Sequence, residues 1–368
     1  MIDCCSFVEA LEGRGWAHGS GVPCSTFSGP IAHLSAGGRY EASANEGLAL
    51  SSAVGASIAG RRQAVFLQNS GLGNLINPLT SLAIPYSLPV MAFMSLRGWP
   101  DPSSDEPQHA QMGLSSAKIL DAVGIWNATL DGTMDQFSRL FDEAIHEIEN
   151  RRSAFLLVPL KSISDHAQTH AQPRSPGLPD SAAVATSVSS WADPETAIFA
   201  TTGYLSRHLY GEGDRDRNFY MQGSMGHVSA IALGYSRSRP NEKVVVLDGD
   251  GAALMHLGQL STIGASEASN LIHVIVDNGR YASTGGQATS SARTDFAAVA
   301  GACGYRTTQT VMTTDELSDA LAGTEESTGP HCILIVARSY DGPPPPRPSS
   351  SLSLAEVGAR FTTKGSSR

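Results

Sequence analysis

Val244-Val245-Val246-Leu247-Asp248-Gly249-Asp250-Gly251 is an apolar run that enters an acid bracketed by glycines, and a helical pattern follows from Ala253 to Gly264. The next apolar run, Leu271–Val276, ends in Asp277-Asn278-Gly279. A strand, a glycine turn, a short helix and a second strand make the repeating unit of a parallel sheet. The plan recurs upstream. Ala64–Leu67 enters Asn69-Ser70-Gly71-Leu72-Gly73-Asn74, a helical pattern follows, and the run Leu88–Met94 closes it. Two occurrences at similar spacing predict two related α/β domains, each a parallel sheet flanked by helices.

Chain length agrees with that division. At the usual ~100–200 residues per domain, 368 residues make two domains or three, with enough chain to bury cores without a disulfide or metal staple. The first domain is expected over residues 1–165 and the second over 195–342, with a linker at 166–194. His166–Asp180 in that linker is rich in Pro, with Ala, Gln and His between, and shows no hydrophobic period. After the apolar run Cys332–Ala337 comes a Pro/Ser-rich tail, 343–368, expected to be disordered. Pro343–Pro346 and Pro348 forbid helix and ladder there, although Ser353 and Glu356 have the spacing of a capping box.

Composition excludes several functions. The net charge is −10, without the basic excess of a nucleic-acid binder or a polybasic membrane-surface protein. No apolar run approaches the ~20 residues of a membrane span. Met1-Ile2-Asp3-Cys4-Cys5 has neither a basic nor an apolar leader region, and the cysteines form no C-x-x-C pair. The expectation is a cytoplasmic protein with reduced thiols, binding neither nucleic acid nor membrane.

The chemistry concentrates at the ends of the two runs quoted first. Gly249 and Gly251 let backbone N–H groups approach a phosphate, and the start of the following helix favours its negative charge. Asp250 is a hard oxygen ligand beside that phosphate. Many surface turns contain Gly-Asp-Gly, so the weight comes from the next strand. Two parallel strands ending at one sheet edge bring Asp250 and Asn278 together, and an acid with an amide oxygen suits Mg2+.

On these residues the chain resembles the thiamine-diphosphate-dependent decarboxylases, whose signature is Gly-Asp-Gly, a spacer of a little under thirty residues, and Asn. Here Asn278 follows Asp250 by 28 positions. The resemblance implies a pyrimidine-type domain followed by a diphosphate-type domain. It implies thiamine diphosphate and Mg2+ as cofactors, with Asp250, Asn278 and the Arg280 carbonyl as metal ligands. In Gly223-Ser224-Met225-Gly226, Met225 takes the place of the apolar wedge that bends the cofactor, and the Gly223 carbonyl accepts from its 4′-amino group. Ser224, Gly249, Gly251 and Ala252 fall at further cofactor-binding positions. Glu46, in Ala44-Asn45-Glu46-Gly47 ahead of the small-residue segment Leu48–Gly60, takes the place of the acid that bonds the pyrimidine N1′.

The resemblance is sharpest to phosphonopyruvate decarboxylases, with sulfopyruvate decarboxylases close behind. It rests on Gly21–Ser25, Gln68–Asn74, Asn77–Ser81, Asp105–His109 with Met112-Gly113, Gly223–His227, Leu247–Leu260 and Ser283–Gln287. Ala282 stands where the subfamily more often has an acid, and Asp277 replaces a more usual Asn. The implied reaction takes a small 2-keto acid, 3-phosphonopyruvate, to phosphonoacetaldehyde and CO2, in phosphonate and often antibiotic biosynthesis. Sulfopyruvate decarboxylation and a non-catalytic thiamine-diphosphate-binding subunit are the alternatives. His109 is the candidate for proton transfer or for holding the substrate anion, with Ser25, Asn69 and Arg97 as further substrate-binding candidates. Arg207, Arg280 and Arg293 are additional cations for the doubly charged phosphonate. Glu46 lies in one domain and the metal ligands in the other, and the family pairs such domains across chains. The expected active form is therefore a homodimer or larger homo-oligomer with shared active sites.

Overall fold

The computed structural model describes residues 1–164 and 174–363, and the chain divides into two compact units. One comprises Met1–His170 and Thr284–Gln287, the other Ala171–Ser283 and Ala288–Arg368. Residues 165–173, which include 166–173 of the expected linker, and the last five residues of the tail lie outside the described residues.

The first unit holds β1 (His18–Gly21), β2 (Tyr40–Ala42), β3 (Gln63–Gln68), β4 (Met91–Leu96), β5 (Trp126–Thr129) and β6 (Ala154–Pro159). They form one sheet in the order β2-β1-β3-β4-β6-β5, all pairs parallel. Central strands of such a sheet are covered on both faces, which is why they read as unbroken apolar runs. Alternation still sorts the side chains. Phe66 and Phe93 stack at 5.3 Å and join Phe7, Phe137 and Phe141 on one face. Val65, Leu67, Ala92 and Met94 point the other way, onto the helices Glu46–Ile58 and Leu72–Pro78.

The second unit holds β7 (Ala197–Ala200), β8 (Asn218–Tyr220), β9 (Val244–Gly249), β10 (Leu271–Asp277), β11 (Thr307–Val311) and β12 (His331–Val336). Their order is β11-β12-β10-β9-β7-β8, again wholly parallel. The two six-stranded parallel sheets flanked by helices match the expected class. Leu271 pairs with Val244 and Val276 with Gly249, so β9 and β10 end level at the carboxyl edge. The helical pattern that follows β9 is broken: one helix covers Asp250–Met255, and a second begins only at Gln259.

Two stretches depart from expectation. Within the linker, Ser181–Trp191 is a helix capped by Asp180, whose Oδ1 accepts from the N–H groups of Ala182 and Ala183. Its Val184 and Val188 enter the second core. The tail is not disordered over its described length. Ser353 and Glu356 form the reciprocal capping bonds, Glu356 Oε2 accepting from Ser353 N–H at 2.7 Å and Ser353 Oγ from Glu356 N–H at 3.1 Å. The helix Leu354–Thr363 buries Val357, sets Phe361 against Phe199, Phe219 and Tyr235, and pairs Arg360 with Asp214. No helix among the described residues is long and apolar enough to cross a membrane.

Candidate active site

In the first unit the site begins at Glu46. Asn45 is the N-cap of the helix Glu46–Ile58, its side chain accepting from Leu48 N–H, so Glu46 opens the first turn. Glu46 is only 5% exposed. Burial raises its pKa, and an Asn74 side-chain N–H donated to Oε2 at 2.8 Å offsets part of that rise. Gly71 makes room for it: a Cβ there would sit 2.1 Å from Glu46 Oε1. The motif Asn69–Asn74 therefore serves Glu46 from the end of β3. Asn69 itself bridges β3 to β4, donating to the Arg97 carbonyl at 2.9 Å and accepting from the Arg97 N–H at 3.2 Å.

This changes the reading of two substrate candidates. Asn69 is fully buried and its amide is spent on the backbone. Arg97 grips Asp105 in a bidentate pair, Nη2 to Oδ1 at 2.5 Å and Nε to Oδ2 at 2.7 Å, so its charge is matched within the protein. Burial pushes the Asp105 carboxyl up, but hydrogen bonds from Arg97 and Gly98 and the Arg97 charge carry it well below the usual carboxylate range. His109 Nδ1 lies 3.2 Å from Asp105 Oδ1. Burial, and then Arg97, lower the His109 pKa, while Asp105 opposes them. Ser25 is exposed at the start of a short 3-10 turn after β1, and its carbonyl accepts from Ser28 Oγ.

In the second unit, Gly249, Asp250 and Asn278 lie at the level ends of β9 and β10. Asp250 is 2% exposed and accepts from Thr289 Oγ1 at 2.5 Å. Burial raises its pKa to about 7, the Asp277 charge adds to that, and hydroxyl and backbone donors only partly offset it. Among the described residues no cationic side chain pairs with this carboxylate, which fits a divalent ion. Thr289 continues to Ser291 at 3.0 Å, and Ser291 donates to Asp277 at 2.7 Å. Asp277 also receives Arg174 and the Gly279 N–H, so it is held in place by the protein itself. Asn278 Oδ1 accepts from the Arg280 N–H at 2.9 Å, which ties the amide to the backbone of the other candidate ligand. Among the described residues no three His, Cys, Asp or Glu side chains cluster, so a metal here must draw on amide and carbonyl oxygens as well.

The remaining residues fit a bound diphosphate. A Cβ on Gly249 would meet only Leu205 and Thr201, at 3.8 and 3.9 Å, so packing does not demand glycine there. Thr201, just past the end of β7, buries a hydroxyl with no partner among the described residues. Gly251 is required by packing, since a Cβ would sit 2.6 Å from the Tyr281 ring. Ala252 is buried next to it. Half-buried Met225 sits in a turn with Ser224 and Gly226 in the left-handed region, φ 55° and 86°. A Cβ on Gly226 would lie 3.0 Å from the Ala252 carbonyl, so this turn is pressed on the helix that Asp250 begins. Among the additional arginines, Arg207 is half buried over the Tyr204 ring and meets no carboxylate among the described residues, while Arg293 is exposed.

Reasoning from sequence assigned no role to Gly71, Asn74, Asp105, Arg174, Thr289 or Ser291.

Residues 201–335 match the family described as thiamine pyrophosphate enzyme, C-terminal TPP binding domain. The chain is 36% identical to a phosphonopyruvate decarboxylase of Streptomyces viridochromogenes, over 98% of this chain and 94% of that protein. It is 36% identical to a phosphonopyruvate decarboxylase of Streptomyces hygroscopicus, over 92% and 88%. A sulfopyruvate decarboxylase of Methanosarcina acetivorans is 31% identical over 72% of this chain and 73% of that protein. With a thiamine-diphosphate domain behind the GDG strand and a match along nearly its whole length, the chain belongs to the phosphonopyruvate decarboxylase family of thiamine-diphosphate enzymes.

Proposed function

We propose that this chain decarboxylates 3-phosphonopyruvate to phosphonoacetaldehyde and CO2, using thiamine diphosphate and Mg2+. The observation that carries the reading is the near-complete match to two proteins named for that reaction. Sulfopyruvate is the weaker alternative, because the sulfopyruvate decarboxylase of Methanosarcina acetivorans is 31% identical over only 72% of this chain. A non-catalytic binding subunit is disfavoured by Glu46, a buried carboxylate with a raised pKa at the position where the family shares a proton with its cofactor.

Asp250, Asn278 and the Arg280 carbonyl would hold Mg2+ against the diphosphate. Thr201, Gly249, Gly251 and Ala252 would line the diphosphate, with Gly223, Ser224 and Met225 beneath the rings. When bound, thiamine diphosphate supplies the electron sink that a 2-keto acid needs to lose CO2. Glu46, with its raised pKa, is suited to share a proton with the pyrimidine N1′, and Asn74 fixes which carboxylate oxygen remains for that bond. His109 is the proton donor to the carbon that loses CO2. Arg97 is matched by Asp105, so Arg207, which meets no carboxylate among the described residues, is better suited to the substrate anion, and Ser25 is an exposed hydroxyl for the same group.

The active form is a homodimer or larger, each cofactor taking Glu46 from one chain and Asp250 from its partner. Mixing inactive Glu46→Gln and Asp250→Ala chains is then expected to restore part of the activity, whereas no recovery would contradict sharing. The reaction itself is tested by 31P NMR of phosphonopyruvate with the purified protein. Conversion that requires both thiamine diphosphate and Mg2+ is expected, and an unchanged substrate resonance would refute the assignment.

A further inference from the structure

Asp105 gathers donors on both oxygens. Oδ1 accepts from Arg97 Nη2 at 2.5 Å and the Glu106 N–H at 2.7 Å, and it faces His109 Nδ1 at 3.2 Å. Oδ2 accepts from Arg97 Nε at 2.7 Å and the Gly98 N–H at 2.8 Å. An ionised carboxylate can only accept, so the nitrogen of His109 that faces it carries the hydrogen. In the neutral ring the other nitrogen, Nε2, then holds the lone pair. Among the described residues, Asp105 is the only partner of the His109 ring.

The backbone holds this pair in register. Gly98 is left-handed, φ 67°, and a Cβ there would sit 2.4 Å from the His109 carbonyl. A Cβ on Gly113 would sit 1.9 Å from the Gly98 carbonyl oxygen. The loop leaving β4 is therefore pressed against the start of the helix Ala110–Ala122, and Asp105 and His109 cannot drift apart independently. Asn69 anchors the other end through the Arg97 backbone.

We propose that Asp105 is a positioning residue that holds His109 in the Nδ1–H tautomer, so that Nε2 is the atom that carries the transferred proton. This rests on the reading of His109 as proton donor. In that step the bond to the carboxylate breaks, CO2 leaves, and the bonding pair stays with the former keto carbon. The donor is the imidazolium, protonated on both nitrogens: a C–H bond forms there with its Nε2 proton, the ring returns to the neutral Nδ1–H tautomer that Asp105 holds, and Nε2 is then reprotonated from water. One proton is consumed per CO2, and no oxidant or reductant is needed. Arg97 leaves Asp105 a neutralised acceptor, and it is this pairing, not substrate binding, that occupies its guanidinium.

The test begins with the 15N-labelled full chain without cofactor, in two-bond 1H–15N spectra, the His109 signals being those lost in His109→Asn. Above the midpoint of the His109 titration, where the ring is neutral, the expected pattern is a protonated Nδ1 and an unprotonated Nε2, and the opposite tautomer in the wild-type chain overturns the proposal without any variant. Asp105→Asn places an amide among donors and is expected to shift His109 toward Nε2–H. It is expected to lower kcat by about a hundredfold or more with KM little changed, in the range of general acid–base contributions. His109→Ala with undiminished kcat ends the proton-donor reading and the proposal with it. A large loss in His109→Ala beside wild-type tautomer and kcat in Asp105→Asn leaves that reading standing and overturns the positioning role alone.

Discussion

Replacing Gly71 by alanine adds one methyl group beside the carboxylate on which the chemistry depends. The backbone accepts the change, since φ at Gly71 is −82°, ordinary for any residue. Space does not: the new Cβ would lie 2.1 Å from Glu46 Oε1, 2.3 Å from Cδ and 2.6 Å from Cγ, where real contacts stay beyond 3.0 Å. The carboxylate must retreat by about 1 Å from its present place, which disturbs the 2.8 Å bond it accepts from Asn74. Overpacking of this kind costs about 1–3 kcal/mol of stability. A misplacement of about 1 Å in a reacting group costs about a hundredfold in rate. Gly73, two residues on, is the control, because a Cβ there meets nothing within 4 Å. The assay is hydrogen–deuterium exchange at C2 of bound thiamine diphosphate, beside a thermal melt. Gly71→Ala is expected to slow exchange about a hundredfold with a modest loss of stability, and Gly73→Ala to leave both near wild type. A folded Gly71→Ala protein exchanging at the wild-type rate would refute the placement of Glu46.

Asp250→Ala is expected to abolish Mg2+-dependent binding of thiamine diphosphate, followed by tryptophan fluorescence, and unchanged affinity would remove Asp250 from the metal site. Burial and then the Arg97 charge hold the His109 pKa below its ordinary 6.5. Arg97→Met takes away one lowering influence, so the NMR midpoint of His109 is expected to rise and the imidazolium to persist to higher pH; a lower midpoint would contradict this coupling. Phe361→Ala, which strips a half-buried ring from Phe199, Phe219 and Tyr235, is expected to cost about 1–3 kcal/mol in urea unfolding, below the 3–5 of a fully buried ring. Unchanged stability would show that the tail helix is not docked in solution.

The parts legible in the sequence are those whose cause is local. Val244–Leu247 and, His273 apart, Leu271–Val276 are apolar because both faces of a central parallel strand are covered, and Asp250 and Asn278 follow just beyond the paired ends Gly249 and Val276. The helix Leu354–Thr363 had its cap written in Ser353 and Glu356, but the surface that receives Phe361 is built from residues far upstream, so its docking was not visible. The same distance hid the neighbours of Glu46. Gly71 and Asn74 act on a carboxylate more than twenty positions earlier, across a strand and a turn. Arg97 read as a substrate cation because nothing about an arginine announces that Asp105, eight residues on, has claimed it. Thr289 and Ser291 belong to a hydroxyl chain between two acids that only the folded β9–β10 edge assembles.

The central claim is tested most directly by competition. Equimolar phosphonopyruvate and sulfopyruvate are given to the purified protein in one tube with Mg2+ and thiamine diphosphate, and both are followed with the released CO2. Phosphonopyruvate is expected to disappear first, with phosphonoacetaldehyde and CO2 formed in equal amounts. Prior consumption of sulfopyruvate, or no CO2 from either, would contradict the account.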